Sequence, residues 1–120
     1  MAITVGSTVL NVTNLPRAID FWTQALGYVL RDPDVHDDTF VVLCRPQRDW
    51  SNLSLQLTDV PKSGINRLHL DLYADDQAEE VSRLESLGAT RVEPWPYADE
   101  VDYVVMADPD GNEFCVIQKP

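Results

Sequence analysis

The sequence predicts an α+β fold made of two copies of one module, each reading strand, helix, then three strands. Three observations carry this. Two apolar stripes at helical spacing each run up to a glycine, Gly27 and Gly88. Short runs such as "NLSLQLT" and "RLHLDLY" alternate apolar and polar residues with the period of a strand. The segment "ALGYVL" from Ala25 is echoed by "SLGATRV" from Ser86, at the same point of each copy. With 120 residues the chain fits one domain. It is read here as a single domain over 1–120, with module one at about 1–58, module two at about 67–120 and a hinge from Asp59 to Asn66.

In module one, Thr4 to Val12 reads as the first strand, with Thr8, Leu10 and Val12 on one face and Ser7, Val9 and Asn11 on the other. Asn14 suits a helix N-cap, because its side chain can accept from a backbone N–H of the first turn, and Pro16 is tolerated there. Leu15, Ala18, Ile19, Trp22 and Leu26 form the buried stripe, so Trp22 is assigned to the core. "YVLRD" and "TFVVLCR" follow as strands, joined by an acidic loop that carries His36 as a surface residue. In "NLSLQLT", Leu53, Leu55 and Leu57 point one way, and Asn52, Ser54, Gln56 and Thr58 the other.

Module two repeats the plan. Leu68, Leu70 and Leu72 form the apolar face of its first strand, and Arg67, His69, Asp71 and Tyr73 the opposite face. Asp76 and Glu79 have the spacing of a capping box. Val81, Leu84 and Leu87 line the helix, and "TRVEP", "DYVVMA" and "EFCVIQ" read as strands. Between the last two, Asp108-Pro109-Asp110-Gly111 suits a type I turn, and it lacks the spaced oxygen ligands of a calcium loop.

Bulk properties exclude several functions. A formal net charge of −11 argues against nucleic acid or an anionic membrane surface as partners. The acids are spread over Asp32, Asp34, Asp37 and Asp38, then Asp75, Asp76, Glu79 and Glu80, then Asp99, Glu100 and Asp102, as in a solubilising surface. Apolar runs such as "FVVLC" are too short to span a bilayer and the first residues do not resemble a signal peptide, so a cytoplasmic location is expected. Cys44 and Cys115 each lie in an apolar strand rather than in a CxxC pair, which reads as two buried thiols and no disulfide. No GxSxG, P-loop or GxGxxG pattern is present.

Taken in order, "VLNVTNLPRAIDFWTQALGY", "HLDLYADDQAEEVSRLESLGA" and the closing "ADPDGNEFCVIQ" resemble the vicinal oxygen chelate superfamily, the glyoxalase, bleomycin-resistance and dioxygenase group, and within it the glyoxalase-like domain proteins. The resemblance covers nearly the whole chain. It implies two βαβββ modules whose curved mixed sheets surround an open cleft, and a homodimer. It also implies four metal-ligand positions, two per module, which fall on Ser7, Gln56, His69 and Cys115. A His, Gln and Glu set would suit zinc, nickel, iron or manganese. Here one imidazole, one neutral amide, a hydroxyl and a thiol stand in those places, so no stoichiometric metal is expected. His69, Gln56 and Cys115 are the weak candidates. Ring-cleaving dioxygenases of the group need two His and a Glu, which this set lacks.

The polar strand faces suit a small-molecule site, the alternative being an ordinary solvated sheet surface. Candidate ligand-binding residues are Ser7, Asn11, Trp50, Gln56, Arg67, His69, Trp95, Tyr103 and Cys115. Trp50, Trp95 and Tyr103 would supply flat apolar walls, and Arg67 would pair with an anion or with a neighbouring acid. His69 is the best catalytic candidate, since imidazole titrates near neutrality; the structural alternative is a histidine paired with Asp71 or Gln56. A His69–Cys115 nucleophile pair lacks an evident orienting group. The function expected is binding of a small organic molecule without a metal. The alternative is a metal-dependent isomerase or lyase of the glyoxalase type, acting on a compound with adjacent oxygens.

Overall fold

The computed structural model describes residues 3–49, 51–92 and 103–120. The chain divides into two compact units, Met1–Pro61 and Lys62–Pro120.

Unit one runs β1 (Ser7–Val12), α1 (Leu15–Leu26), β2 (Val29–Leu30), β3 (Phe40–Cys44) and β4 (Asn52–Leu57). Asn14 adopts an extended conformation and its side chain accepts from the Arg17 N–H at 3.1 Å, and Gly27 ends the helix at φ 67°, where a Cβ is disfavoured. The sheet order is β1-β4-β3-β2, with β1 parallel to β4 and the other pairs antiparallel. Leu43, Leu53, Leu55 and Val12 are buried on one face, and α1 packs over β4. Trp22 lies in this core with Phe21 edge-on to it, ring centroids 5.0 Å apart. The helical stripe read from the sequence omitted Phe21, which is buried beside it.

Unit two runs β5 (Leu70–Ala74), α2 (Gln77–Ser86), β6 (Thr90–Arg91), β7 (Tyr103–Ala107) and β8 (Glu113–Gln118), in the order β5-β8-β7-β6. It is the same βαβββ plan, so the α+β class read from the sequence holds. Asp76 caps α2 by accepting from the Glu79 N–H at 3.1 Å. The Asp108 turn closes through Gly111 N–H to Asp108 C=O at 2.9 Å. The buried Asp108 carboxylate also accepts from the N–H groups of Asp110 and Asn112.

Two details differ from the sequence reading. Leu68 was expected on the apolar face but is 73% exposed. The β5–β8 ladder begins only at Leu70 with Phe114, and the chain bends at 67–68, so strand alternation does not extend back to Leu68. The short strands β2 and β6 keep two residues each of the runs read as strands; Glu93 and Pro94 of "TRVEP" lie outside the described residues. Among the described residues no helix is long and apolar enough to cross a membrane.

Candidate functional site

The ladders fix which positions of the two units correspond. In unit one the Thr58 N–H donates to the Val12 carbonyl at 2.9 Å; in unit two Lys119 N–H donates to the Ala74 carbonyl at 2.9 Å. Counting back from these bonds, Ser7 corresponds to His69, Val9 to Asp71 and Ser54 to Cys115. Gln56, the position counted from sequence, corresponds instead to Ile117. The offset is two residues, one full strand period, so both assignments lie on the same face and alternation alone cannot separate them.

In unit one, Ser7 is half-buried and its Oγ lies 2.5 Å from Oγ of the buried Ser54. Each hydroxyl thereby gives the other a partner. Gln56 is exposed and sits in register between Asn11 and Phe40. A cavity of about 430 Å³ opens beneath the acidic loop, lined among others by Ile19, Leu30, Val35, His36, Asp37 and Phe40. His36 is exposed, as read from the sequence, and contributes to its lining; none of the candidate ligand residues does.

In unit two the corresponding face carries different chemistry. His69 precedes β5, Asp71 lies on it, and Cys115 faces Asp71 across the parallel β5–β8 ladder. His69 Nε2 is 3.2 Å from Asp71 Oδ1, with the two side chains 51% and 46% exposed. Donor atoms of His69, Asp71 and Cys115 all lie within 4.8 Å of one another. Cys115 is buried. Burial, then the Asp71 charge and a hydrogen bond to Asp71, push its thiol up to about 11. Asp71 is thus shared between imidazole and thiol. A Cys-His-Asp nucleophile would need the thiol to face the imidazole and lose its proton to it; here burial, and then the carboxylate, keep the thiol protonated.

The surroundings hold this group in place. One row beyond, Tyr73 and Tyr103 flank Ile117 in register, and Val105 pairs with Cys115 from the other side. Tyr103 is half-buried and Tyr73 exposed. The segment leading to His69 is tied to β8: Lys62 Nζ donates to Glu113 Oε1 at 2.9 Å, and Asn66 Oδ1 accepts from the Glu113 N–H at 3.1 Å. Arg67 is exposed. Trp50 and Trp95 lie outside the described residues. The sequence reading named Asp71 only as a structural partner of His69. The signal for their proximity was present, since His69 and Asp71 are two apart in an alternating run.

Residues 7–117 match the glyoxalase-like domain family model, and the chain belongs to that family. No curated protein matches it in sequence. Among solved structures it is similar to a glyoxalase/bleomycin resistance protein/dioxygenase family enzyme from Burkholderia phytofirmans, with 16% identity, 97% of this chain and 98% of that one covered, and a TM-score of 0.76. It is also similar to the trypanothione-dependent glyoxalase I of Leishmania major, with 20% identity, 98% and 87% covered, and a TM-score of 0.71. A third is the fosfomycin resistance protein FosX from Mesorhizobium loti, with 13% identity, 100% and 94% covered, and a TM-score of 0.70. At these identities the likeness is one of fold.

The metal that the family implies can be tested against the donors present. Zinc takes nitrogen, oxygen and sulfur ligands, and three protein donors leave a fourth position open. His69, Asp71 and Cys115 supply one of each within a single unit. Tetrahedral zinc places such donors about 3.3–3.6 Å apart, so the cluster needs to tighten by about 1.5 Å at most. The donor set fits.

Proposed function

We propose that this protein binds a small organic molecule on the polar face of the second unit's sheet, and that binding does not require a metal. The observation that carries this reading is the exposed His69–Asp71 pair, 3.2 Å apart, next to the row Tyr73–Ile117–Tyr103. A charge-capable pair beside flat aromatic surface is what a small polar or aromatic ligand needs for orientation and for burial of its apolar part. Arg67, exposed two residues before His69 in the same unit, remains in this proposal as a further contact residue. The net charge of −11 speaks against nucleic acid and anionic membrane as partners. We extend the proposal to a homodimer in the cytoplasm, the assembly that the family resemblance implies.

A thermal-shift screen of small polar and aromatic compounds on the untagged protein tests the reading. Compounds that raise Tm are expected to lose their effect in His69→Ala and in Tyr103→Ala. Hits that act equally on both variants would move the site elsewhere.

One observation favours a second reading, a metal-dependent isomerase or lyase acting on a compound with adjacent oxygens. It is the convergence of three donors of different chemistry within 4.8 Å. His69, Asp71 and Cys115 would hold the ion, and a divalent metal there supplies Lewis-acid polarisation of a bound oxygen. The half-exposed His69 and Asp71 would meet the substrate and orient it.

A further inference from the structure

The family resemblance draws metal ligands from two positions in each module. In this chain the first unit offers two hydroxyls at those places, Ser7 and Ser54, hydrogen-bonded to each other. The second unit offers an imidazole and a thiol, and adds a carboxylate, Asp71, at a position occupied in the first unit by Val9. We infer that His69, Asp71 and Cys115 form a self-contained three-ligand site for a zinc-class divalent cation within the second unit, with Asp71 as the third donor.

Geometry carries the inference. His69, one residue before β5, brings its Nε2 within 3.2 Å of Asp71 Oδ1. Cys115 is the register partner of Asp71 across the parallel β5–β8 ladder, and the donor atoms of all three residues lie within 4.8 Å of one another. Asp71 and Cys115 thus converge on paired strands, with His69 one residue before the first of them. Glu113, the other carboxylate on this strand face, is held by Lys62 at 2.9 Å and does not compete. Sulfur and nitrogen donors favour zinc or cobalt over magnesium or calcium, which want oxygen throughout. The exposure of His69 and Asp71 leaves a coordination position open toward solvent, where water or a ligand oxygen would complete four-coordination. The inference deepens the second functional reading and is independent of metal-free binding.

Cobalt(II) titration of the untagged full chain tests it by optical spectroscopy. The expected result is about one cobalt per chain, with a thiolate-to-cobalt charge-transfer band and the intense visible bands of a four-coordinate ion. Cys115→Ser should abolish the charge-transfer band. Asp71→Ala and His69→Ala should each weaken cobalt binding by roughly tenfold or more. A Ser7→Ala/Ser54→Ala double variant should bind as the wild type does. Absence of the charge-transfer band, wild-type affinity in Asp71→Ala, or weakened binding in the double serine variant would each overturn the inference. Zinc should also slow alkylation of Cys115 in the unaltered protein, a readout that does not depend on any variant folding. Compounds found by thermal shift in metal-free buffer would still bind if the inference fails, which separates its failure from that of the metal-free reading.

Discussion

The two units share a backbone plan and differ at three corresponding positions. Unit one has Ser7, Val9 and Ser54 where unit two has His69, Asp71 and Cys115. The first set satisfies itself, since two hydroxyls close on each other 2.5 Å apart and a valine fills the third place. The second set is left with a shared carboxylate and two side chains about half exposed. One framework therefore carries an uncharged face with paired hydroxyls in one copy and a face of titratable side chains in the other. The helices differ in the opposite sense. α1 buries Leu15, Ala18, Phe21 and Trp22, while α2 buries only Val81 and Leu84. The copy with the richer chemistry has the leaner helix packing.

The largest expected effect tests the packing half of this contrast. Trp22→Ala should cost about 3–5 kcal/mol, and Leu84→Ala, one turn beyond Val81 in the other unit, about 2–4 kcal/mol. Urea unfolding of both variants checks the order; a larger loss at Leu84 would break the comparison.

The next effect concerns the chemical half. Because burial and Asp71 raise the Cys115 thiol to about 11, little thiolate exists near neutrality. Its alkylation, followed peptide by peptide, should climb by roughly tenfold per pH unit from pH 8 and level off only near pH 11. In Asp71→Ala the rise should begin at lower pH. The sign for stability is fixed by the same shift. The folded thiol holds its proton longer than the unfolded one, so this group's contribution is complete below the ordinary thiol value and is lost as pH rises from there toward 11. An alkylation plateau near pH 9 would contradict the environment described for Cys115.

The smallest effect sharpens the contrast between the two faces. Ser54→Ala removes the partner at 2.5 Å from the half-buried Ser7 hydroxyl, which also reaches the Asn52 carbonyl at 3.3 Å. The expected loss is about 0.5–1.5 kcal/mol, read from the shift of the urea midpoint. No measurable change would mean that water replaces Ser54 at no cost.

Much of the fold was legible because its signals are local. Asn14 and Asp76 announce helix starts through a bond three residues away, and Gly27 marks a helix end through a backbone angle that other residues avoid. The alternation of Leu53, Leu55 and Leu57 gave the faces of β4, although Leu57 at the strand end is 39% exposed. What the sequence withheld depends on pairing between distant segments. That Ser54, and not Gln56, matches Cys115 follows only from hydrogen bonds between strands, since the two choices differ by one strand period and share a face. Leu68 was misplaced for a related reason: alternation shows which way a strand's side chains point but not where the strand acquires a partner. Asp71 was visible beside His69, but its approach to Cys115 needs the β5–β8 ladder.

That ladder has a consequence for the order of events during synthesis. In each unit the first strand lies beside the last, joining Ser7 to Asn52 across 45 residues and Ala74 to Gln118 across 44. A nascent chain can form α1 as soon as it emerges, yet β1 stays without its neighbour until almost the whole unit has left the ribosome. Each half is therefore expected to snap shut late and all at once. The His69, Asp71 and Cys115 group, split between the start of its half and β8, cannot assemble before β8 has been made.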